Sequence, residues 1–318
     1  MPDLPHFAVL ADGFDGAAIA AVLMHAGIGV QVHDDDPDSV LRSQAYLARR
    51  GLEVPFAPGP VPPDAAVIDA LMQVPLADVM TRTQGRPTLS HAHADAIAGR
   101  DMLGWHLHRM QRGAALVEAT SLPETGFAMR RLGLVLTRAI SPVACLVSRP
   151  HPGLLVGTLR RAMIRTADRL LLEATNPWEL DEAMQAHHFD TGVLERQDQI
   201  GLDADLASWR AHGGGPLIIL DRMVAEGRLG VGVGVGWYRY PGGGGRVIDP
   251  LLEDMMREEA WFAGITRIDL APHEIANRML VALRDAAQAL RARGVAQDRA
   301  LVTAARQGLG LRAGVALL

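Results

Sequence analysis

Within its first 34 residues the chain sets out a strand, a glycine turn, a helix and a second strand ending in an acid, and few folds accept that order. Phe7-Ala8-Val9-Leu10 is a short apolar run, as a parallel strand buried on both faces requires. It leads into Ala11-Asp12-Gly13-Phe14-Asp15-Gly16, a helix-like stretch to Ala26, then Gly27-Ile28-Gly29-Val30-Gln31-Val32-His33-Asp34. This is the Rossmann order. Gly13 and Gly16 take the second and third places of G-x-G-x-x-G, Ala11 stands at the first, and Asp34 follows Gly13 by 21 residues. The middle glycine lets a pyrophosphate approach the backbone, and the helix N-terminus attracts the anion. The acid accepts hydrogen bonds from a ribose diol and disfavours a 2′-phosphate. Ala11, Gly13, Phe14, Asp15, Gly16 and Asp34 are therefore the expected cofactor-binding residues, with NAD rather than NADP as the cofactor. Asp12 and Asp15 add negative charge where a pyrophosphate would sit. The same residues thus also read as a capped helix on a Rossmann-like fold that has lost its dinucleotide. Asp34-Asp35-Asp36 likewise also reads as a solvated turn before a helix from Ser39.

At 318 residues the chain is long enough for about two domains and a sizeable core. Hydrophobic residues make up 49% and aromatics 4%, so that core is one of Ala, Leu, Val and Met. A net charge of −5 gives no electrostatic reason to expect nucleic acid. All 31 basic residues are Arg, which excludes Schiff-base and lysine-base mechanisms. The one cysteine, Cys145, lies in an apolar run and can form no intrachain disulfide, as in a reducing compartment. Met1-Pro2-Asp3-Leu4-Pro5 lacks the basic start and apolar core of a secretory signal. The longest apolar stretch, residues 16–32, is broken by His25 and Gln31 and is too rich in Gly and Ala for a membrane span. The expectation is a cytoplasmic chain with neither membrane nor nucleic-acid partners.

Candidate chemistry is concentrated between residues 88 and 118. His106 follows Met102-Leu103-Gly104-Trp105, a strand-like run, and Glu118 ends Leu116-Val117-Glu118. A separation of 12 lets two strands and a loop bring both side chains to one cleft. A neutral imidazole can accept a proton near pH 7, although one His and one Glu at this spacing carry little weight alone. A carboxylate on the other ring nitrogen fixes the tautomer and stabilises the imidazolium. His91 and His93 alternate nearby, but two histidines without a third ligand make no metal site, and no metal is expected.

Residues 55–63 form a Pro-rich surface loop, and Ala65-Ala66-Val67-Ile68-Asp69-Ala70 reads as another buried strand. From 159 onward the pattern turns helical: Leu159, Met163, Ala167, Leu170 and Leu171 share one face. Asn176-Pro177-Trp178-Glu179 carries an N-cap, a proline at the first helical position and a capping-box glutamate. The alternating Gly230, Gly232, Gly234 and Gly236 have no following Lys-Ser/Thr, so they read as a turn rather than a phosphate loop. Residues 241–245 read as a linker, and a further helix starts at Glu274 and runs to about Arg293.

Three stretches carry a family likeness: Gly104-Trp105-His106 with Leu116-Val117-Glu118; Phe189…Gly192…Glu195…Asp198…Gly201-Leu202-Asp203; and Gly236-Trp237-Tyr238-Arg239-Tyr240. In order and spacing they resemble the 3-hydroxyacyl-CoA dehydrogenases of fatty-acid β-oxidation, over nearly the whole chain and most strongly from 104 to 240. The resemblance implies an α/β Rossmann-type NAD-binding domain over 1–149, followed by an all-α, 6-phosphogluconate-dehydrogenase-like C-terminal region. That region would be duplicated, with one copy over 150–245 and an abbreviated second over 246–318. The implied activity is NAD-dependent oxidation of a 3-hydroxyacyl-CoA thioester to its 3-ketoacyl form. His106 would be the base, Glu118 its orienter, and Ser90 of Thr88-Leu89-Ser90 would hold the substrate oxygen. A tandem helical copy would supply within one chain the packing that dimeric relatives share between subunits, so a monomer or a homodimer is implied.

The chain also departs from that pattern. The family's F-F-N-P after the histidine is Leu107-His108-Arg109-Met110 here, with Arg109 offering a cation to an acidic or phosphate group. Pro152-Gly153-Leu154-Leu155-Val156 matches the P-G-F-I-x stretch, but Gly157 replaces the asparagine that binds the substrate carbonyl, and Thr158 its arginine neighbour. A donor missing from a developing oxyanion costs about two to three orders of magnitude in rate. Asp69 stands for the family's glutamate in V-I-E-A, and the lysine-bearing helix after it has no counterpart. The closing glycine motif is degraded over 308–314, and no hydratase region is expected within these 318 residues. Two alternatives follow: a catalytically weakened member acting as a binding or scaffold protein, and a dehydrogenase for a small hydroxy acid without CoA.

Overall fold

The structure, a computed structural model, describes residues 4–59, 61–83, 85–109, 115–140, 142 and 144–318. The start Met1-Pro2-Asp3 and Met110, considered above, lie outside the described residues. Two compact units result: Met1–Leu154 with Gly294–Thr303, and Leu155–Arg293 with Ala304–Leu318.

The first unit is built on β1 (Phe7–Ala11), β2 (Val30–His33), β3 (Phe56–Ala57), β4 (Ala66–Ala70), β5 (Thr88–Ser90), β6 (Met102–Arg109), β7 (Ala115–Thr120) and β8 (Ala144–Ser148). They form one sheet in the order β3-β2-β1-β4-β5-β6-β7-β8, and its first six strands follow the Rossmann order. Every pairing is parallel except β6 with β7. All residues of β1 and β4 are buried, as strands covered on both faces must be. The covering helices are α1 (Phe14–His25), α2 (Pro37–Ala48), α3 (Leu76–Thr83) and α4 (Phe127–Ala139). Helix α1 lies close against β1 because Gly16 has no side chain; a Cβ there would collide with Ala11 Cβ. Trp105 is fully buried and anchors α4, its Nε1 donating to Thr137 Oγ1 at 2.9 Å.

Two local expectations are corrected. The Pro-rich loop contains β3, whose pairing with β2 starts beside the Val32 N–H to Pro55 carbonyl bond; an edge strand tolerates prolines. A helix does follow β4: α3 makes the crossover that two parallel neighbours, β4 and β5, require.

The second unit is helical: α5 (Leu154–Glu173), α6 (Pro177–Ala186), α7 (Val193–Ile200), α8 (Leu202–Ala211), α9 (Ile218–Ala225), α10 (Leu251–Phe262) and α11 (Pro272–Ala292). Asn176 caps α6 by accepting the Glu179 N–H at 3.0 Å. Ile275, Met279, Leu283, Ala287 and Leu290 make one buried stripe on α11, which packs on α6. The 241–245 linker instead closes a two-stranded ribbon, β9 (Tyr238–Arg239) with β10 (Val247–Ile248). Helix α12 (Asp298–Thr303) belongs to the first unit and packs on β8. Among the described residues no helix is long and apolar enough to cross a membrane.

Candidate active site

The glycine turn opens at the carboxyl end of β1. Gly13 is the N-cap of α1, and a Cβ on it would meet nothing within 4 Å. The open space over that glycine leaves room for an anion at the start of α1. Phe14 is half exposed, with its ring edge-on to Tyr46 at 4.5 Å. Asp34, at the end of β2, is buried; its Oδ1 accepts the Asp36 N–H at 3.0 Å and its Oδ2 the Ser39 hydroxyl at 2.6 Å. Asp36 caps α2, which starts at Pro37. Asp34 thus orders the β2–α2 turn, and each of its oxygens has a further lone pair.

Ser90 ends β5, and its hydroxyl is buried. It donates to Asp69 Oδ2 at 2.6 Å, and the same oxygen meets His93 Nδ1 at 2.8 Å. The His93 N–H returns to Ser90 Oγ at 3.0 Å, and His93 Nε2 meets the Val74 carbonyl at 2.9 Å. The hydrogen bond to Asp69 raises the His93 pKa. This network ties the ends of β4 and β5 to the segments that follow them.

His106 and Glu118 are direct cross-strand partners on β6 and β7. His108, two residues along β6, shares their face. Its Nε2 lies 3.2 Å from Glu118 Oε2, and Ser148 Oγ lies 3.5 Å from Glu118 Oε1. Glu118 is wholly buried. His106 Nδ1 meets the carbonyl of His91 at 2.9 Å. A carbonyl only accepts, so Nδ1 carries the proton and Nε2 presents a lone pair. The His91 ring stacks on His106 at 4.3 Å, its Nδ1 accepting the Leu107 N–H, and the His108 ring stands edge-on at 4.4 Å. Burial pushes the His106 pKa down to about 4, helped by the neighbouring His108 and opposed by the His91 carbonyl, Glu118 and Asp15. His106 is therefore a neutral imidazole at physiological pH. Among the described residues no three His, Cys, Asp or Glu side chains gather as metal ligands.

This depressed pKa has a stability consequence. An unfolded histidine titrates near 6.5, so between about pH 6.5 and 4 the unfolded chain binds more protons than the folded one. Stability is lost as pH falls through that window, by up to about 3 kcal/mol for a shift of this size. His106→Asn is expected to flatten this acid limb in urea titrations. The raised carboxyl groups Asp168, Asp181 and Asp198, each near 6, act oppositely but equally in both proteins. Parallel limbs for the variant and the parent would contradict the assignment.

In the second unit the family-like motifs lock onto one another. Asp198 on α7 accepts the N–H groups of Trp237 and Tyr238 at 2.8 and 3.0 Å and the Tyr240 hydroxyl at 2.8 Å. Asp181 on α6 accepts the Leu194 and Glu195 N–H groups at the start of α7 and the Tyr238 hydroxyl. Gly236 leaves room for the Asp198 carboxylate, which a Cβ would strike. At Gly157 a Cβ would lie 3.3 Å from Arg161 Nη1, whose Nη2 donates to Thr158 Oγ1 at 3.0 Å. Sequence reasoning gave no role to His91 or Arg161 and saw His108 only as a departure. The alternation of His106 and His108 on one strand face was the available signal for the latter.

Residues 153–240 match the family profile described as 3-hydroxyacyl-CoA dehydrogenase, C-terminal domain. Over 154 residues the chain is 28% identical to the peroxisomal bifunctional enzyme of Danio rerio, a match covering 42% of this chain and 21% of that protein. The chain thus spans about a fifth of the curated relative it matches. Among solved structures, the 3-hydroxybutyryl-CoA dehydrogenase of Escherichia coli K12 superposes with a TM-score of 0.73 at 17% identity, over 97% of this chain and 89% of that one. The dehydrogenase part of multifunctional enzyme 1 from C. elegans gives 0.68 at 14% identity, over 97% and 79%. At these identities the likeness is one of fold. What these structures share with the chain is a Rossmann-type α/β sheet followed by a helical C-terminal region, the latter carrying the matched C-terminal domain profile.

Proposed function

We propose that this chain is an NAD-dependent dehydrogenase that oxidises a 3-hydroxyacyl-CoA to the 3-ketoacyl-CoA, with His106 as the proton acceptor. The observation that carries the reading is the fixed tautomer of His106: Nδ1 is held on the His91 carbonyl, leaving Nε2 as the acceptor. Bound NAD would take up the hydride leaving C3 of the substrate. His106 Nε2 takes the hydroxyl proton in the same step, and the imidazolium that forms is favoured by the nearby Glu118 and Asp15 carboxylates. Glu118, expected as the orienter of His106, reaches His108 instead, since His106 Nδ1 is held on the His91 carbonyl; His108 packs edge-on against the His106 ring. Ser90, expected to hold the substrate oxygen, is wholly buried and gives its hydroxyl proton to Asp69, so it instead keeps the end of β5 beside Gly104 of the strand that carries His106. Gly13, Phe14, Asp15, Gly16 and Ala11 would line the pyrophosphate turn, and Asp34 would take the ribose diol.

The substrate class is tested by following loss of NADH absorbance with acetoacetyl-CoA and, separately, with free acetoacetate. Turnover of the thioester at least about tenfold better than that of the free acid is expected. Equal or better turnover of acetoacetate would move the assignment to a small hydroxy acid. Inactivity with both would favour the binding or scaffold role, for which the loss of a carbonyl donor at Gly157 argues.

A further inference from the structure

Asp12 follows β1, while Met72 and Gln73 follow β4. These two neighbouring strands are where the chain order of the sheet reverses. In open α/β sheets, ligands lie in the crevice outside the carboxyl ends of the strands at such a reversal. Here a side chain crosses it. Asp12 Oδ1 accepts the Met72 N–H at 3.0 Å, and Oδ2 accepts the Gln73 N–H at 2.8 Å. Two successive backbone N–H groups turned towards one anion form the concavity that commonly receives phosphate or carboxylate. The anion held there belongs to this chain.

We infer that Asp12 is an internal competitor for the crevice and sets how tightly the chain takes the phosphates of a dinucleotide. The inference rests on the dinucleotide reading given above and goes beyond it by assigning affinity to one residue. Asp12 acts in two ways. It occupies the Met72 and Gln73 amides, and it places a full negative charge beside Gly13, the residue of the turn that faces open space. Both bonds are exposed to water, so the clasp can open when a ligand enters. Removing one charge from within about 5 Å of a dianionic ligand, in surroundings close to water, changes affinity by about tenfold.

The test is a fluorescence titration of the intact chain with NADH alone, comparing wild type, Asp12→Asn and Asp12→Ala at about 20 mM salt and again at about 0.5 M. Asn keeps the shape of the side chain and one acceptor oxygen, so it separates charge from structure. Both variants are expected to bind NADH about tenfold more tightly than wild type at low salt, with the gap shrinking at high salt. In Asp12→Ala, hydrogen exchange at the Met72 and Gln73 amides should also accelerate without ligand. Binding to wild type that is equal to or tighter than binding to both variants overturns the inference and leaves the dinucleotide reading standing. A failure of all three proteins to bind NADH overturns both.

Discussion

Replacing His106 with asparagine is expected to lower kcat/KM for acetoacetyl-CoA reduction by about two to four orders of magnitude, the range lost with a positioned general acid–base group. Asparagine keeps an N–H able to reach the His91 carbonyl, so the strand ends should stay ordered while the proton acceptor disappears. NADH affinity should be unchanged, because the expected cofactor residues lie on the β1–α1 turn and at the end of β2. The wild-type pH profile carries a second signature. With its pKa held near 4, His106 does not become blocked by protonation where an ordinary histidine would, so kcat/KM for oxidation should stay level from about pH 8 to about 5. A loss below about threefold on substitution, or an inflection near 6.5, would remove His106 from the chemistry.

The largest stability effect is expected at Asp198. Its carboxylate is buried and satisfies three donors at once, the Trp237 and Tyr238 amides and the Tyr240 hydroxyl. Asp198→Ala leaves all three without that acceptor, at about 1–3 kcal/mol for each buried unsatisfied group. A total of about 4–6 kcal/mol is expected, among the larger single-site effects and a big share of a domain's stability. Asp198→Asn retains an acceptor oxygen and should cost less than half as much. Urea unfolding followed by helical circular dichroism checks this. A shift worth less than about 1 kcal/mol for the alanine variant would mean that the ribbon holds without the carboxylate.

These two sites show what a sequence can and cannot disclose here. The β1–α1 turn was readable because its signal is local: an apolar run, spaced glycines and an acid 21 residues after Gly13. The Asn176 cap was readable for the same reason. His106 and Glu118 stood out by their spacing, yet the partner of His106 Nδ1 is a backbone carbonyl 15 residues upstream, which has no sequence signature. The motif around Asp198 was recognisable as a helix-packing segment, but its partners lie about 40 residues on, so the bonds themselves were not. Asp12 looked like misplaced charge until the fold brought Met72 and Gln73 to it from 60 residues away. Strand β3 was hidden because prolines dominate its surroundings, and short edge pairing depends on a neighbour rather than on propensity.

The central claim is hydride transfer to the C3 carbonyl of an acyl thioester, and isotope transfer tests it most directly. The intact chain would be incubated with acetoacetyl-CoA and NADH deuterated at the nicotinamide C4 position, and the product examined by mass spectrometry. The account predicts 3-hydroxybutyryl-CoA with one deuterium at C3, formed by wild type and lost in His106→Asn. Product without deuterium, or no product above the variant's level, would contradict it.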